Sequence, residues 1–293
     1  MTVLEAIAKS TEFLTKKGVE SPRLHAELLL AHLLKMPRMK LYLNFERAIS
    51  PAETDALREL IKRRGQHEPV QHIVGTTSFC GHEITVTRHV LVPRPETEML
   101  AELGWQFLLA APAQEEGRSN LSPQPVAALD FGTGSGCIAI ALAAKCPAAQ
   151  ITALDVSREA LALANENAAR NNVAERIQFQ QGDGFAALAE GSAFDLIISN
   201  PPYIPSAEIA TLQPEVRDFD PHGALDGGAD GLNFYRLLAA QSAKFLKKDG
   251  KIMVEFGDGQ AAAIRGIFEN EKWIVEAVKE DYSQRARILI AKK

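Results

Sequence analysis

The 293-residue chain predicts an α/β fold: a mostly parallel sheet ending in an antiparallel strand pair, preceded by a small all-α bundle and a β-hairpin connector. Three observations carry this reading. From residue 126 onward, short apolar runs alternate with longer runs of helical periodicity, the pattern of βαβ units with helices on both sheet faces. The last two apolar runs have no room for a helix between them, so they can pair only as antiparallel neighbours. The first ~70 residues instead repeat helix-start signals ahead of apolar residues at helical spacing.

In this N-terminal region Thr2 with Glu5, and Ser50 with Glu53, fit capping boxes; Pro51 falls at a first helical position, and Ser21-Pro22 marks a third start. The Leu-rich stretch 24–34 is the centre of the bundle. His25 and His32 share a face of it and read as hydrogen-bonded structural residues rather than metal ligands. Farther on, Ile84 and Val86 alternate with Thr85 and Thr87, as in a strand or hairpin. Val90-Leu91-Val92 then runs into Pro93-Arg94-Pro95-Glu96-Thr97-Glu98, a connector leading to a helix over 99–110. Residues 111–125, rich in Pro, Ser, Gln and Glu, read as an exposed loop. Strands are predicted at 126–131, 151–155, 177–180, 194–199, 251–256, 273–278 and 287–291, and helices at 137–145, 158–171, 232–248 and 260–270. The organisation is therefore a helical bundle over 1–74, a hairpin connector over 75–92 and an α/β domain over 93–293.

A formal charge of −5 and a pI near 5.9 argue against a protein whose main task is gripping nucleic-acid phosphates, which needs a basic excess. The short run Lys62-Arg63-Arg64 reads as a solvated helix face. Cys80, Cys137 and Cys146 are odd in number and lack metal-type spacing, so neither a disulfide framework nor a zinc site is expected. Cys137 and Cys146 bracket an apolar helical run and read as buried thiols. The N-terminus carries no basic segment followed by an apolar core, and no run is long enough to span a bilayer; a reducing cytoplasm is the expected setting.

The chemistry gathers at strand ends. Asp130-Phe131-Gly132-Thr133-Gly134-Ser135-Gly136 follows the first strand of the α/β region and opens a helix, where glycines allow a tight turn and close ligand approach. It departs from the dinucleotide fingerprint, because Cys137 stands where the third glycine would fall, and no P-loop lysine follows. Asp155 closes the next strand about twenty residues on, where a carboxylate can accept both hydrogen bonds of a ribose diol. It could equally cap the following helix, a task open to Ser157 as well. After the third strand, Asp183 could accept from an exocyclic amine and Phe185 could pack on a flat base. Glycines, a diol acceptor and a base pocket in succession indicate an adenosine-containing ligand. Asn200-Pro201-Pro202-Tyr203 ends the fourth strand, and open α/β sheets bind ligands at the carboxyl ends of their strands.

From 126 to the C-terminus these features resemble the class I S-adenosylmethionine-dependent methyltransferases, whose sheet is Rossmann-like with a terminal antiparallel pair. The tetrapeptide narrows the resemblance to the branch that methylates planar nitrogens. Glu68-Pro69-Val70-Gln71-His72-Ile73-Val74-Gly75, the 90–98 connector and the helical N-terminus together resemble the release-factor glutamine methyltransferase family, PrmC/HemK. The resemblance implies S-adenosylmethionine as cofactor, held by Asp130, Gly132, Thr133, Gly134, Ser135, Gly136, Asp155, Asp183, Gly184, Phe185 and Asn200. It implies methylation of the glutamine in the Gly-Gly-Gln motif of peptide chain release factors, with Asn200, Pro201 and Tyr203 catalytic and Pro202 also touching substrate. The bundle would dock the protein substrate, with no metal, no membrane and no stable nucleic-acid binding. In one departure, family members often carry an aromatic directly after the Asp of the base-pocket motif, whereas Gly184 stands here and Phe185 comes next; the adenine cover is left open between them. A ribosomal-protein glutamine, a nucleobase amine and a non-catalytic adaptor role are the competing readings.

Within that resemblance, the acceptor amide is a poor nucleophile because its lone pair is delocalised. Asn200 can accept one amide hydrogen through its side-chain oxygen and the Pro201 carbonyl the other, while Tyr203 lies against the amide plane. A dedicated general base, or any side-chain carboxylate at that point, is expected to be redundant. Arg94 and Glu96 either orient ligands or form a structural ion pair. The segment 205–231 is either a substrate-side lid or an exposed acidic loop.

Overall fold

The structure, a computed structural model, describes residues 1–110 and 126–293; the loop expected over 111–125 lies outside the described residues. The chain forms two compact units, Met1–Thr76 with Gln213–Phe219, and Thr77–Leu212 with Asp220–Lys293.

The first unit holds α1 (Val3–Lys16), α2 (Pro22–Leu33), α3 (Arg38–Tyr42), α4 (Pro51–Arg64) and α5 (Val70–Val74). Both capping boxes form: Glu5 N donates to Thr2 Oγ1 at 3.2 Å and Thr2 N to Glu5 at 3.0 Å, and the Ser50–Glu53 pair repeats this at 3.2 and 2.7 Å. Ser21 makes no side-chain cap bond and sits in the left-handed region at φ 47°, so Pro22 carries the start of α2. Leu14, Leu29, Leu30, Leu41 and Leu57 fill the core between these helices. The basic run at 62–64 is not wholly a solvated face. Leu57, Ile61 and Arg64 recur on one side of α4, which carries Arg64 into full burial. There its Nε donates to His25 Nδ1 at 3.1 Å, its Nη1 to the Glu68 carbonyl at 3.1 Å, and its Nη2 to Glu215 of the Gln213–Phe219 segment. Burial first and Arg64 second push the His25 pKa below its ordinary 6.5, so the neutral ring accepts this bond. His25 is thus a structural, hydrogen-bonded residue as expected, whereas His32 is exposed.

The chain continues through β1 (Thr76–Phe79), β2 (His82–Thr85), α6 (Pro95–Ala110), β3 (Ala127–Phe131), α7 (Cys137–Lys145), β4 (Gln150–Asp155), α8 (Arg158–Arg170), β5 (Ile177–Gln181), β6 (Phe194–Ser199), α9 (Pro214–Arg217), α10 (Asn233–Gln241), β7 (Leu246–Glu255), α11 (Ala261–Asn270), β8 (Ile274–Glu280) and β9 (Ala286–Lys292). β1 and β2 form a two-stranded sheet, and β3 to β9 a seven-stranded one in the order β5-β4-β3-β6-β7-β9-β8. Its pairs are parallel from β5 across to β7, and β9 pairs antiparallel with both β7 and β8, as the sequence predicts. Strand order reverses between β3 and β6, which opens a crevice at their carboxyl ends.

Alternation along the strands divides the core. Leu196, Ile198 and Met253 face Leu100 of α6 and Leu142 of α7, while Ile197, Ile252 and Val254 face Leu238 of α10 and Ile264 of α11. Helix α6 lies close on the sheet because residue 104 is glycine; a Cβ there would come within 2.9 Å of Ile198 Cδ1.

Three expected boundaries move. Residues 95–98 are the first turn of α6 rather than connector, since proline suits a first helical position and Glu96 and Glu98 complement the helix N-terminus. The hairpin ends at Thr85, and Val86 enters the core beyond it. The helix expected over 232–248 stops at Gln241, because Leu246 pairs with Phe194 and starts β7 early. Among the described residues no helix is long and apolar enough to cross a membrane.

Candidate active site

The crevice holds a cavity of about 280 Å³ at the ends of β3, β4, β5 and β6. That is near the lower end of small-molecule sites, roughly 300 Å³. Its floor is the glycine loop after β3. Gly132 (φ 75°) and Gly134 (φ 54°) adopt backbone angles that side chains disfavour, and a Cβ on either would meet nothing within 4 Å. Their main chain therefore borders open space, as a loop that receives a ligand backbone-first must. Gly136 does not reach the cavity: it lies against α8, where an added Cβ would come within 2.9 Å of the Ala164 Cβ.

Asp130 is fully buried beneath the loop and does not line the cavity. Its Oδ2 accepts from Thr133 Oγ1 at 2.6 Å and from Ala139 N at 3.1 Å, fixing the loop onto α7. Burial is the main reason that its pKa rises to about 7. Asp155 lines the cavity and performs a local task at the same time: Oδ2 accepts from Gly134 N at 2.8 Å and Oδ1 from Ser157 N at 2.9 Å. Each carboxylate oxygen retains accepting capacity for a ligand hydroxyl. Ser157 Oγ caps α8 by accepting from Ala160 N at 3.1 Å. Thr133 and Ser135 also border the cavity.

Asp183 and Gly184 line the third side, but Phe185 does not. Its ring is 2% exposed and packs between Phe131 and Phe245, with centroids 5.0 and 5.1 Å away. The apolar wall beside Gly184 comes instead from Phe234 and Leu237 of α10. Sequence reasoning missed both, because α10 is distant in sequence and its apolar spacing reads as core.

The tetrapeptide divides in the same manner. Asn200 and Pro202 line the cavity, Pro201 is buried, and Tyr203 packs behind them. Gln260 Nε2 donates to the Tyr203 carbonyl at 2.8 Å, and burial first, then Glu255, pushes the phenol up to about 12. Asn200 Nδ2 donates to Thr97 Oγ1 at 3.0 Å. Glu255, at the end of β7, adjoins both Thr97 and Asn200; burial raises its pKa to about 7 against the hydrogen bonds of those two neighbours. Sequence reasoning missed Thr97 and Glu255. The available signal was a lone acidic residue inside the apolar run Ile252-Met253-Val254-Glu255-Phe256. Asn167 was missed as well: fully buried in α8, it accepts from Thr85 N at 2.9 Å and donates to the Thr85 and Ser135 carbonyls at 3.0 Å each.

Arg94 pairs with Asp220 at 2.8 Å rather than with Glu96, and both Arg94 and Pro221 stand at the cavity wall. The 205–231 segment is stapled locally, with Ser206 Oγ and Gly228 N both donating to Asp226, at 2.6 and 2.9 Å.

A parallel sheet closed by the β7-β9-β8 arrangement, with a glycine loop and an acidic strand end at its switch point, defines a class I methyltransferase. The fold is shared with the hMettl16 catalytic domain, solved in complex with the MAT2A 3′UTR hairpin 6, at TM-score 0.53 and 15% identity over 82% of this chain and 81% of that one. Residues 5–75 match the PrmC N-terminal domain and residues 118–213 the methyltransferase small domain. The chain is 43% identical to a release factor glutamine methyltransferase of Geobacter sulfurreducens over 91% of its own length and 88% of that protein's. Proteins of the same name from Chlorobaculum tepidum and Rhodopirellula baltica are 40% and 38% identical, covering 98% and 100% of this chain and 95% and 96% of theirs. The chain belongs to the release factor glutamine methyltransferase family, and it is an enzyme.

Proposed function

We propose that the protein transfers a methyl group from S-adenosylmethionine to the side-chain amide nitrogen of the glutamine in the Gly-Gly-Gln motif of peptide chain release factors. The observation that carries this reading is the Asn200 carboxamide in the cavity wall, its nitrogen committed to Thr97 and its oxygen left to accept. Membership of a family whose named relatives act on release factors supplies the substrate class.

When bound, S-adenosylmethionine supplies an electrophilic sulfonium methyl. The open-faced backbone at Gly132 and Gly134 fits such a ligand, with Asp155 to accept from the ribose diol, Asp183 from the adenine amine, and Gly184, Phe234 and Leu237 around the base. On the acceptor side, Asn200 Oδ1 takes one amide hydrogen and the Pro201 carbonyl the other, which localises the nitrogen lone pair. Proline fixes the backbone there and brings no competing N–H. Pro202 bounds the acceptor side and limits water, with Tyr203 packed behind it. Holding the reacting atoms in an attack geometry contributes several kcal/mol, roughly 7–11 in the best intramolecular cases. The helical N-terminal region docks the protein substrate, and the setting is cytoplasmic.

The test is incubation with methyl-labelled S-adenosylmethionine and three acceptors: a release factor, a ribosomal-protein preparation, and DNA or RNA. Label is expected in the release factor and is expected to vanish when its loop glutamine is replaced. Label confined to nucleic acid would overturn the reading.

A further inference from the structure

The ladder between β6 and β7 pairs Ser199 with Val254, so Asn200 and Glu255 fall on the next rung. Strand alternation turns both toward α6, on the side of Ile198 and Met253. The first turn of α6 presents Thr97 to them, on the same helix face as Leu100, Ala101 and Gly104. Thr97 and Glu255 are each 3% exposed. The Glu255 carboxylate is stabilised by hydrogen bonding with Thr97 and Asn200, and its Oε2 has no partner.

A buried carboxylate with an unpartnered oxygen is costly for a strand end that serves only packing. Other charged and titratable groups face it but do not neutralise it. Glu96 opposes its ionisation, Tyr203 and Tyr235 are buried phenols beside it, and the nearby Arg287 is committed to Asp281 at 3.0 Å. Tyr235 donates to the Glu255 main-chain oxygen at 2.8 Å, which fixes the strand end and leaves the side chain free of that bond.

We infer that Glu255, acting on Asn200 directly and through the Thr97 hydroxyl, is a positioning residue that holds the Asn200 carboxamide with its oxygen turned to the acceptor nitrogen. A threonine hydroxyl carries one hydrogen. Because Thr97 Oγ1 accepts from Asn200 Nδ2, that hydrogen points elsewhere, and an ionised Glu255 can only accept it. The donors therefore run in one direction, toward Glu255, from Asn200 both directly and by way of Thr97. Protonation of Glu255 removes that constraint. A neutral acid can donate to Thr97 Oγ1, the threonine hydrogen can turn to the Asn200 oxygen, and the carboxamide can then present N–H groups to an acceptor that itself offers N–H groups. The carboxylate judged redundant from sequence is not a base for the reaction; it sets which end of Asn200 the substrate meets. This inference rests on the function proposed above.

The test compares wild type with Thr97→Val, Thr97→Ser and Glu255→Gln by steady-state methylation, with binding of S-adenosylhomocysteine measured alongside as a check on the fold. Thr97→Val should lower kcat about 30-fold or more while KM for the protein substrate and product affinity change less than about threefold, the signature of an interaction that matters in the transition state. Thr97→Ser should recover kcat to within about threefold of wild type, since it restores only the hydroxyl. Wild-type kcat should fall below about pH 7 with a single-proton slope, and Glu255→Gln should be slow and flat across that range. A Thr97→Val enzyme with near-normal kcat, or a Glu255→Gln enzyme that keeps the acidic limb, overturns the inference. The substrate reading is judged on the wild type alone, and the positioning chain on the ratio of variant to wild type for whichever acceptor is labelled.

Discussion

Replacing Glu255 by Gln should make the fold more stable at high pH, and the size of the gain should depend on pH in a calculable way. Burial raises the Glu255 pKa from the ordinary 4.5 to about 7 in the folded protein. At about 1.4 kcal/mol per tenfold change in proton affinity, ionising this group costs the fold about 3 kcal/mol. The sign follows from proton counting. Between those two pH values the native state holds the proton more tightly than the unfolded chain, so the contribution of the neutral acid is fully present below about pH 4.5 and lost as the pH rises through 7. Glutamine has nearly the same shape and does not ionise. The stability difference between variant and wild type should therefore grow in favour of the variant by about 2–3 kcal/mol from pH 5 to pH 8. Any pH-independent effect of the amide, and the matching behaviour of Asp130, cancel in that comparison. Urea unfolding at several pH values, followed by tryptophan fluorescence, is the assay; the only two tryptophans of the chain, Trp105 and Trp273, both lie in the second unit. A difference that stays constant with pH, or grows toward acid, would refute the assignment of Glu255 as a strained buried acid. A variant that is more stable yet slower would show a site held at the expense of stability.

Asn200→Ala should lower turnover by about two to three orders of magnitude, comparable to losing one preorganised hydrogen-bond group, while S-adenosylhomocysteine binding measured by calorimetry survives. Gly134→Ala should weaken that binding about tenfold or more, because the new Cβ enters open cavity space, and the left-handed backbone should cost about 1–2 kcal/mol of stability in urea. Asn167→Ala strands the Thr85 amide and the Thr85 and Ser135 carbonyls; at about 1–3 kcal/mol for a buried group left unpaired, a loss of at least about 2 kcal/mol is expected by urea unfolding.

What the sequence disclosed, and what it withheld, follows one physical division. Phe194–Ser199 and Cys137–Lys145 are legible because their hydrophobic period, length and flanking glycines or prolines agree. Both capping boxes are equally local and appear as read. Leu246-Lys247-Lys248 misleads because its helix-like composition is overruled by pairing with Phe194, a partner far away in sequence. Arg64 misleads for the same reason: a charge run has no local mark that distinguishes a solvated arginine from one met by His25 and Glu215. At the cavity, the residues placed by strand ends, such as Asp155, Asp183 and Asn200, are visible in sequence, whereas those placed by helix packing, such as Phe234, Leu237 and Thr97, are not. Phe185 shows the limit of reading by adjacency. It lies one residue beyond Gly184, yet it turns to the core and stacks on Phe245.

The β6–β7 register is what ties the core to the Asn200 side of the cavity. From Phe194 to Leu196 the ladder moves from Leu246 to Lys251 on β7, so the residues between them bulge out around Asp249, which sits at φ 67°. Lys247 within the bulge is held by Asp195 at 2.7 Å. Beyond it, pairing runs in step through Ile198–Met253 and Ser199–Val254. A slip of one residue would turn every side chain to the opposite face, exposing the alternation that fills the two halves of the core. The same slip would carry Glu255 away from α6 and leave Asn200 without the Thr97–Glu255 chain. The apolar residues therefore do more than stabilise the sheet: by enforcing the register, they bring an amide and a carboxylate, far apart in sequence, against one threonine hydroxyl. Substitutions that loosen Ile198 or Met253 should accordingly be felt in the orientation of Asn200 before they are felt in the glycine loop after β3, which is anchored separately by Asp130 and Asn167.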